Sequence, residues 1–405
     1  MPVELRPMGV ACNLACTYCY QEPMREAGNI HAKYDVDKML EVAEKTNQPF
    51  HLFGGEALLV PKKDLERFWA RGYELYGSNG IQTNGVLIDD EHIELFKKYN
   101  VSVGVSIDGP NELNNLRKVR SKKNDDSATL EATQKIMENL QKLVRNGIQC
   151  AVIITLHKLN GTEENLPRML KFIRWLGDLG IKSGNLHVLE VDRTMPDQEK
   201  HVLSQKENIK AFLTFAEFFD KPENQDLDWN PFRDYEKAIV TEQFNALTCY
   251  FNRCDPMNTV AVYGVEGDGG LSNCGRTNKE GIDWYKADDV YYERYLSLYH
   301  TPPELNGCKG CPYFMVCGGG CPGECIDWDF RNKTIHCSTH KALFRYYEKK
   351  AEEQGIVPWT RRPERKILEK MLLEAMEKGT RVNIDMLQKD LKVASRRVVA
   401  VRKEK

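Results

Sequence analysis

The chain has 405 residues, 41% of them hydrophobic, and a formal net charge of -2 at pH 7. That is enough length for a full core in two domains, or in one barrel with an extension. So even a charge gives no global pull toward nucleic acid or an anionic membrane. With no run of about 20 apolar residues to span a bilayer, and no apolar signal core in Met1-Pro2-Val3-Glu4-Leu5-Arg6, a cytoplasmic protein is expected.

Short β-branched runs alternate with amphipathic helical segments up to about residue 220. Strands are predicted at Val3 to Arg6, Phe50 to Phe53, Gly80 to Thr83, Val101 to Ile107, Gln149 to Leu156 and Leu186 to Val191. Helices are predicted over 36–46, 62–76, 89–99, 128–146, 163–179 and 204–219. Six strand–helix units in succession predict an α/β fold with a parallel sheet, closed as a barrel or open and doubly wound. The polar stretch 221–226 marks a boundary, and Trp229, Phe232 and Tyr235 fall in a predicted helix beyond it. Val260 to Leu271 reads as a hairpin with a Gly-rich turn. After Cys337 the pattern is helical and basic, with Lys341 to Gln354, Pro363 to Gly379 and Ile384 to Val401 as helices. Its arginine pairs read as a packing or docking face, with base-reading as the alternative.

Thirteen cysteines in a cytosolic chain argue against disulfides. Eleven of them fall within 12–19 or 254–337, which implies metal clusters instead of scattered core thiols. Cys12, Cys16 and Cys19, spaced C-x3-C-x2-C, can hold three irons of a cubane and leave the fourth open to a substrate or cosubstrate. Zinc is the alternative, but it favours four closed ligands in C-x2-C pairs. The second group centres on Cys308, Cys311, Cys317 and Cys321. Cys249, Cys254 and Cys274 precede it, and Cys325 and Cys337 follow. Eight of these thiols suffice for two more cubanes, with a zinc ribbon as the alternative. Cys150 is expected to be a buried apolar thiol, and His157 a structural histidine. Predicted strands end in Gly54-Gly55-Glu56, in Thr83 and Asn84, and in Ser106 and Asp108, followed by the basic segment Arg117 to Arg120. Each is readable as polar turn chemistry or as a ligand pocket.

The cysteine loop, with Tyr18 before its last thiol and Tyr20 after it, resembles the signature of the radical S-adenosylmethionine (SAM) superfamily. That resemblance implies a partial (β/α)6 radical SAM barrel over 1–220, with its site at the C-terminal ends of the strands. It implies that the open iron chelates SAM, with Tyr18 at the signature's aromatic position and Tyr20 near the adenine. Gly54, Gly55 and Glu56 would meet the SAM amino group. Thr83 and Asn84 would line the pocket, Ser106 and Asp108 would meet the ribose, Arg117 (or Arg120) the carboxylate, and Leu189 the adenine.

The second cysteine group resembles a SPASM domain, placed at 249–340 after a linker at 221–248 and before a helical, basic extension at 341–405. By that resemblance Cys249, Cys254, Cys274 and Cys321 hold one auxiliary 4Fe-4S cluster, and Cys308, Cys311, Cys317 and Cys337 another. This makes three clusters in all, with Cys325 left as a spare thiol. The implied substrate is a ribosomally made precursor peptide. Flavodoxin or ferredoxin would be the reductant, and a separate leader-recognition protein is expected, because the signature begins so near the N-terminus. Sulfatase maturases place an aspartate base directly after the third ligand of the first auxiliary cluster. Here Gly275 and then Arg276 follow Cys274, which argues against formylglycine formation and leaves the catalytic acid or base unassigned. Phe53 to Leu59 resembles maturases that act on leader peptides of the nitrogen-fixation-protein-like type. Tyramine excision to an α-keto-β-amino acid is then one expectation, beside thioether or carbon–carbon crosslinking and epimerisation. A non-catalytic iron–sulfur electron carrier is the rival from another class.

Overall fold

The computed structural model describes residues 3–26, 33–189, 200–241, 243–244, 247–248, 251, 254, 262–277, 293–380, 382 and 384–391. The chain divides into two compact units, Met1–Asn230 with Val262–Tyr285, and Pro231–Ala261 with Lys286–Lys405.

The strands of the first unit are β1 (Val3–Arg6), β2 (Leu14–Cys16), β3 (Phe50–Leu52), β4 (Asn79–Thr83), β5 (Val101–Ser106), β6 (Arg117–Val119), β7 (Cys150–Leu156), β8 (Ser183–Val188), β9 (Asp228–Asn230), β10 (Gly264–Glu266) and β11 (Leu271–Ser272). Nine of them form one sheet in the order β11-β10-β1-β3-β4-β5-β7-β8-β9, and β2 and β6 make a separate antiparallel pair. The six strands read from the sequence are consecutive neighbours in that sheet. All pairings in it are parallel except β10 with β11.

Helices α1 (Glu22–Glu26), α2 (Val36–Glu44), α3 (Lys62–Tyr76), α4 (Asp90–Lys98), α5 (Asp126–Arg145), α6 (Leu166–Leu179) and α7 (Gln205–Phe219) complete this unit. In β5 the valines at 101, 103 and 105 are buried, while Ser102, Gly104 and Ser106 are half-buried on the other face. The period of two therefore sets which side chains reach the inner face. Helix α3 buries Leu65, Phe68, Trp69 and Gly72, and stops where Gly77 turns left-handed at φ 68°. Burying each large ring contributes about 2–3 kcal/mol, and the glycine ends the helix without the Cβ penalty.

Three expectations shift. Strand β8 begins at Ser183 instead of Leu186, because Ser183-Gly184-Asn185 pair with Ala151 to Ile153 on one side and with β9 on the other. Trp229 lies on β9, not in a helix; it packs against Gly184, where an added Cβ would stand 2.7 Å from the indole. The expected hairpin exists as β10 and β11, and it extends the main sheet at β1 through Glu4↔Gly264 and its neighbours. Residues 190–191, 260–261 and 392–401 of the predicted elements lie outside the described residues.

In the second unit the helices are α8 (Phe232–Tyr235), α9 (Glu293–His300), α10 (Phe314–Cys317), α11 (Cys337–Glu353) and α12 (Glu364–Glu377). Tyr235, fully buried, packs against Phe251, Phe344 and Tyr347 in its core. Among the described residues no helix is long and apolar enough to cross a membrane.

Candidate metal and cofactor site

The first cysteine loop is held by backbone contacts before any ligand is considered. Its strand β2 pairs with β6 so that Cys16 lies opposite Arg117. The Arg120 guanidinium donates to the carbonyls of Cys12 (2.9 Å) and Leu14 (2.8 Å) and pairs with Glu22 at 2.6 Å. From β3 the chain passes beneath the loop, where Gly55 N–H donates to Gly9 O at 2.8 Å and Glu56 N–H to Ala11 O at 2.7 Å. A Cβ at Gly55 would stand 2.1 Å from the Ala11 oxygen, and Gly54 adopts φ +126°. The glycine pair is therefore required by the loop backbone itself, which packs closer than any side chain would allow.

Donors stand at two of the three sulfurs. Leu14 N–H reaches Cys12 Sγ at 3.4 Å, the Asn84 amide stands 3.8 Å from the same sulfur, and Arg25 Nη2 donates to Cys19 Sγ at 3.2 Å. Burial pushes the Cys12 thiol up to about 11, with Glu56 adding to it. Burial likewise raises Cys16, with Cys19 and Cys12 contributing. The three thiols therefore lie within electrostatic reach of one another, and each becomes a thiolate at lower cost once iron supplies positive charge. Three mutually close cysteines, with N–H donors at Cys12 and Cys19, fit a cluster with three protein ligands.

Asp108 is the hub of the site. It is fully buried. Its carboxylate accepts from Arg117 Nε (3.1 Å), from Thr155 N–H (2.9 Å) and from the Tyr18 hydroxyl, and His157 Nε2 stands 3.6 Å away. Burial alone would raise the acid, but Arg117, His157 and Tyr18 outweigh it and hold the group down at about 2. Its backbone is fixed as well, N–H to Asn114 Oδ1 and C=O from Asn160 Nδ2, both at 2.8 Å. The carboxylate expected at a ribose is thus occupied by this chain's own groups, and Arg117 is paired to it. His157, read as structural from the sequence, is wholly buried with its ring 5.8 Å from that of Tyr18.

Glu56 is similarly internal. Burial raises its pKa. It accepts from Thr83 Oγ1 (2.6 Å), Asn84 N–H (2.7 Å) and Leu58 N–H (3.0 Å). Asn84 continues the chain of contacts by donating to Asn13 Oδ1 at 2.7 Å, so Glu56, Thr83 and Asn84 join the β3 and β4 ends to the cysteine loop. Ser106 accepts from Gln82 at 2.9 Å, and Leu189, buried, follows β8. Gln82 also lines a cavity of about 770 Å³ with His51, Ser102, Gln149, Cys150 and Lys182. Cys150 is accordingly a half-buried cavity residue, not the enclosed apolar thiol expected from the sequence.

Tyr20 lies against Gly275, where an added Cβ would meet its hydroxyl at 2.8 Å. Beside it Arg276 stands 2.9 Å from His187 Nδ1; burial and then Arg276 lower His187 to about 3. Sequence reasoning missed Arg25 and His187. Their residue types are unremarkable locally, and only the tertiary fold brings them to the site.

In the second unit Cys308, Cys311, Cys317 and Cys337 come together. Burial raises Cys317, followed by Cys308, Cys337 and Cys311. Burial pushes Cys308 up to about 12, with Cys311 and Cys337 adding. Gly318, Gly319 and Gly320 follow Cys317 with φ of 56°, 82° and 78°, a run that only glycine adopts easily. The buried Arg294 holds this turn by donating to the carbonyls of Gly318 (2.9 Å), Gly320 (3.0 Å) and Phe330 (2.6 Å). Cys325 is buried beside Arg294 and the Cys321 carbonyl, as a spare thiol would be. Cys254 and Cys321 are half-buried here and Cys274 is half-buried in the first unit. Cys249 lies outside the described residues. Among the described residues no three Cys, His, Asp or Glu side chains close around a single ion; a cubane is wider and needs its sulfurs further apart.

A family model described as the Radical SAM superfamily matches residues 7–173. The chain is 27% identical over 367 residues to a serine-type anaerobic sulfatase-maturating enzyme of Bacteroides thetaiotaomicron, covering 79% of this chain and 82% of that protein. It is 28% identical over 376 residues to a cysteine-type anaerobic sulfatase-maturating enzyme of Clostridium perfringens strain 13, covering 84% and 95%. Among solved structures, anSMEcpe with bound AdoMet and the Cp18Cys peptide superposes with a TM-score of 0.64 at 19% identity, over 87% of this chain and 98% of that one. Streptococcus suis SuiB bound to precursor peptide SuiA superposes at 0.54 and 15% identity, over 84% and 76%. At those identities the structural likeness concerns the fold.

Proposed function

From a chain that belongs to the radical SAM superfamily, and is on that ground an enzyme using SAM and a 4Fe-4S cluster, we infer that the substrate is a peptide. The relatives named above act on, or are seen with, peptide or protein substrates, which supports this reading. When bound, the cluster and SAM supply a 5'-deoxyadenosyl radical that removes a substrate hydrogen.

This chain's own residues bind and orient. Cys12, Cys16 and Cys19 would ligate three irons. Gly54 and Gly55 let the loop close, and Glu56, with Thr83 and Asn84, locks the strand ends against it. Tyr18, Arg117 and Asp108 form one buried unit beside Cys16, with Asp108 positioning the other two instead of meeting the ribose directly. Ser106, Tyr20 and Leu189 are the proposed contacts to the nucleoside. In the second unit Cys308, Cys311, Cys317 and Cys337 would carry an auxiliary cluster. Cys249, Cys254, Cys274 and Cys321 are the proposed ligands of another, for a total of three.

The observation that carries the reading is the three-cysteine loop, prebuilt by contacts to Gly55, Glu56 and Arg120, with N–H donors at the Cys12 and Cys19 sulfurs. Gly275, with Tyr20 against it, supplies no carboxylate where sulfatase maturases carry one, so we favour peptide backbone excision, crosslinking or epimerisation over formylglycine formation.

The test is co-expression with the precursor peptide encoded nearby, followed by mass spectrometry. Loss of a tyramine unit indicates excision, loss of two hydrogens a crosslink or an oxidation, and a gain of one deuterium in heavy water, with the mass unchanged in ordinary water, epimerisation. Cys16→Ala should abolish 5'-deoxyadenosine release, whereas Cys317→Ala should keep some release without product. Release undiminished in Cys16→Ala would refute the assignment.

A further inference from the structure

Arg25 is a buried arginine whose guanidinium is used on every side. Nε donates to the Val10 carbonyl, Nη1 to Glu22, and Nη2 to Cys19 Sγ at 3.2 Å. Glu22 in turn is shared with Arg120 at 2.6 Å and Lys123 at 3.2 Å, so three cations converge on one carboxylate beside the cysteine loop. As a guanidinium Arg25 stays protonated.

A permanent cation donating to a thiolate ligand stabilises the more negative state of whatever that thiolate binds. Arg25 is also rigid: its fork is fixed by a carbonyl and a carboxylate, so its charge does not relax away when the metal group gains an electron. We propose that Arg25 tunes the reduction potential of the cluster held by Cys12, Cys16 and Cys19, making its one-electron reduction easier, while Glu22 fixes Arg25 and offsets part of its charge. The proposal rests on the radical SAM reading of the loop.

The measurement is the midpoint potential of the first cluster by spectroscopic redox titration of the reconstituted full chain, in a background where Cys308→Ala and Cys317→Ala remove one auxiliary cluster and Cys254→Ala and Cys321→Ala the other. Arg25→Gln is expected to lower the potential by about a tenfold change in the one-electron equilibrium, which is about 59 mV. Glu22→Gln, which removes the opposing charge, is expected to raise it by less. Opposite signs are the signature that a merely structural role would not produce. An Arg25→Gln cluster of full iron content at the parent potential overturns the proposal, and so do two shifts of the same sign. If Arg25→Gln takes up no iron, Glu22→Gln decides alone: a potential at or below the parent's then overturns the proposal. Failure of the underlying reading looks different, because the unsubstituted chain would then show no SAM cleavage.

Discussion

Replacing Asp108 by alanine isolates the energetic centre of the site. Its partner Arg117 has a side chain 9% exposed and the carboxylate itself is 0% exposed, with Nε to Oδ2 at 3.1 Å. Removing one member of a buried ion pair leaves an uncompensated charge and costs about 3–5 kcal/mol, and here Thr155 N–H and the Tyr18 hydroxyl lose their acceptor too. A second route gives a similar scale. The carboxyl sits at about 2 against an ordinary 3.8, a depression equivalent to roughly 2 kcal/mol. A depressed acid contributes stability that is complete above its ordinary value and lost as pH falls through its folded value. Protection should therefore decline between pH 3.8 and about 2, and Asp108→Asn should lack that step. The assay is amide hydrogen exchange in β5 and β7, which reports the local opening free energy where Asp108 is anchored. Asp108→Ala should lower that free energy by about 3 kcal/mol or more. The double variant Asp108→Leu with Arg117→Met should recover the part of it that comes from the stranded Arg117 charge, since an apolar pair leaves none. A loss below about 1 kcal/mol in the single variant, or a double variant no better than the single one, would refute the reasoning.

Gly55→Ala puts a methyl group 2.1 Å from the Ala11 oxygen, so the protein should lose iron equivalent to the first cluster while hydrogen-exchange protection of α11 is unchanged; full iron content would count against the packing argument. Arg294→Met strands the carbonyls of Gly318, Gly320 and Phe330, each worth about 1–3 kcal/mol when left unsatisfied, and should loosen the turn after Cys317 enough for chemical footprinting of Cys317 to increase sharply. Cys325→Ala, by contrast, should leave iron content unchanged, and a loss of iron would make that thiol a ligand.

The strands that could be read from the sequence are those whose local pattern agrees with their pairing. Val101-Ser102-Val103-Gly104-Val105 alternates by itself, and β5 needs no further help. β9 and the start of β8 could not be read, because Asp228-Trp229-Asn230 and Ser183-Gly184-Asn185 are poor strand formers that become extended through hydrogen bonds to β7 and to each other. The site divides in the same way. Spacing alone revealed Cys12, Cys16 and Cys19, since the ligands of one loop must be near in sequence. The glycine pair was legible as a close approach but not as an approach to the loop backbone. Arg25 was invisible because nothing in Gln21-Glu22-Pro23-Met24-Arg25-Glu26 says which charge turns inward.

The contacts around the loop also bear on which reactions this chain can support. Each group expected at SAM that carries a full charge, namely Glu56, Asp108 and Arg117, is buried and paired within the chain, so the site is assembled as a rigid frame before substrate arrives. What varies around such a frame is the group that takes up the proton after hydrogen removal. A carboxylate after Cys274 would need the space filled by the Tyr20 hydroxyl, 2.8 Å from where its Cβ would start, so a side chain could enter only if that ring swung away. The neighbouring charge is Arg276 beside a histidine kept neutral by burial and by that arginine. Arg276 would stabilise negative charge there, so what the position lacks is the base itself: Gly275 carries no side chain to take up a proton. A glycine where a base would stand is the physical ground for the proposal that the substrate radical rearranges, couples or is quenched instead of being oxidised to formylglycine.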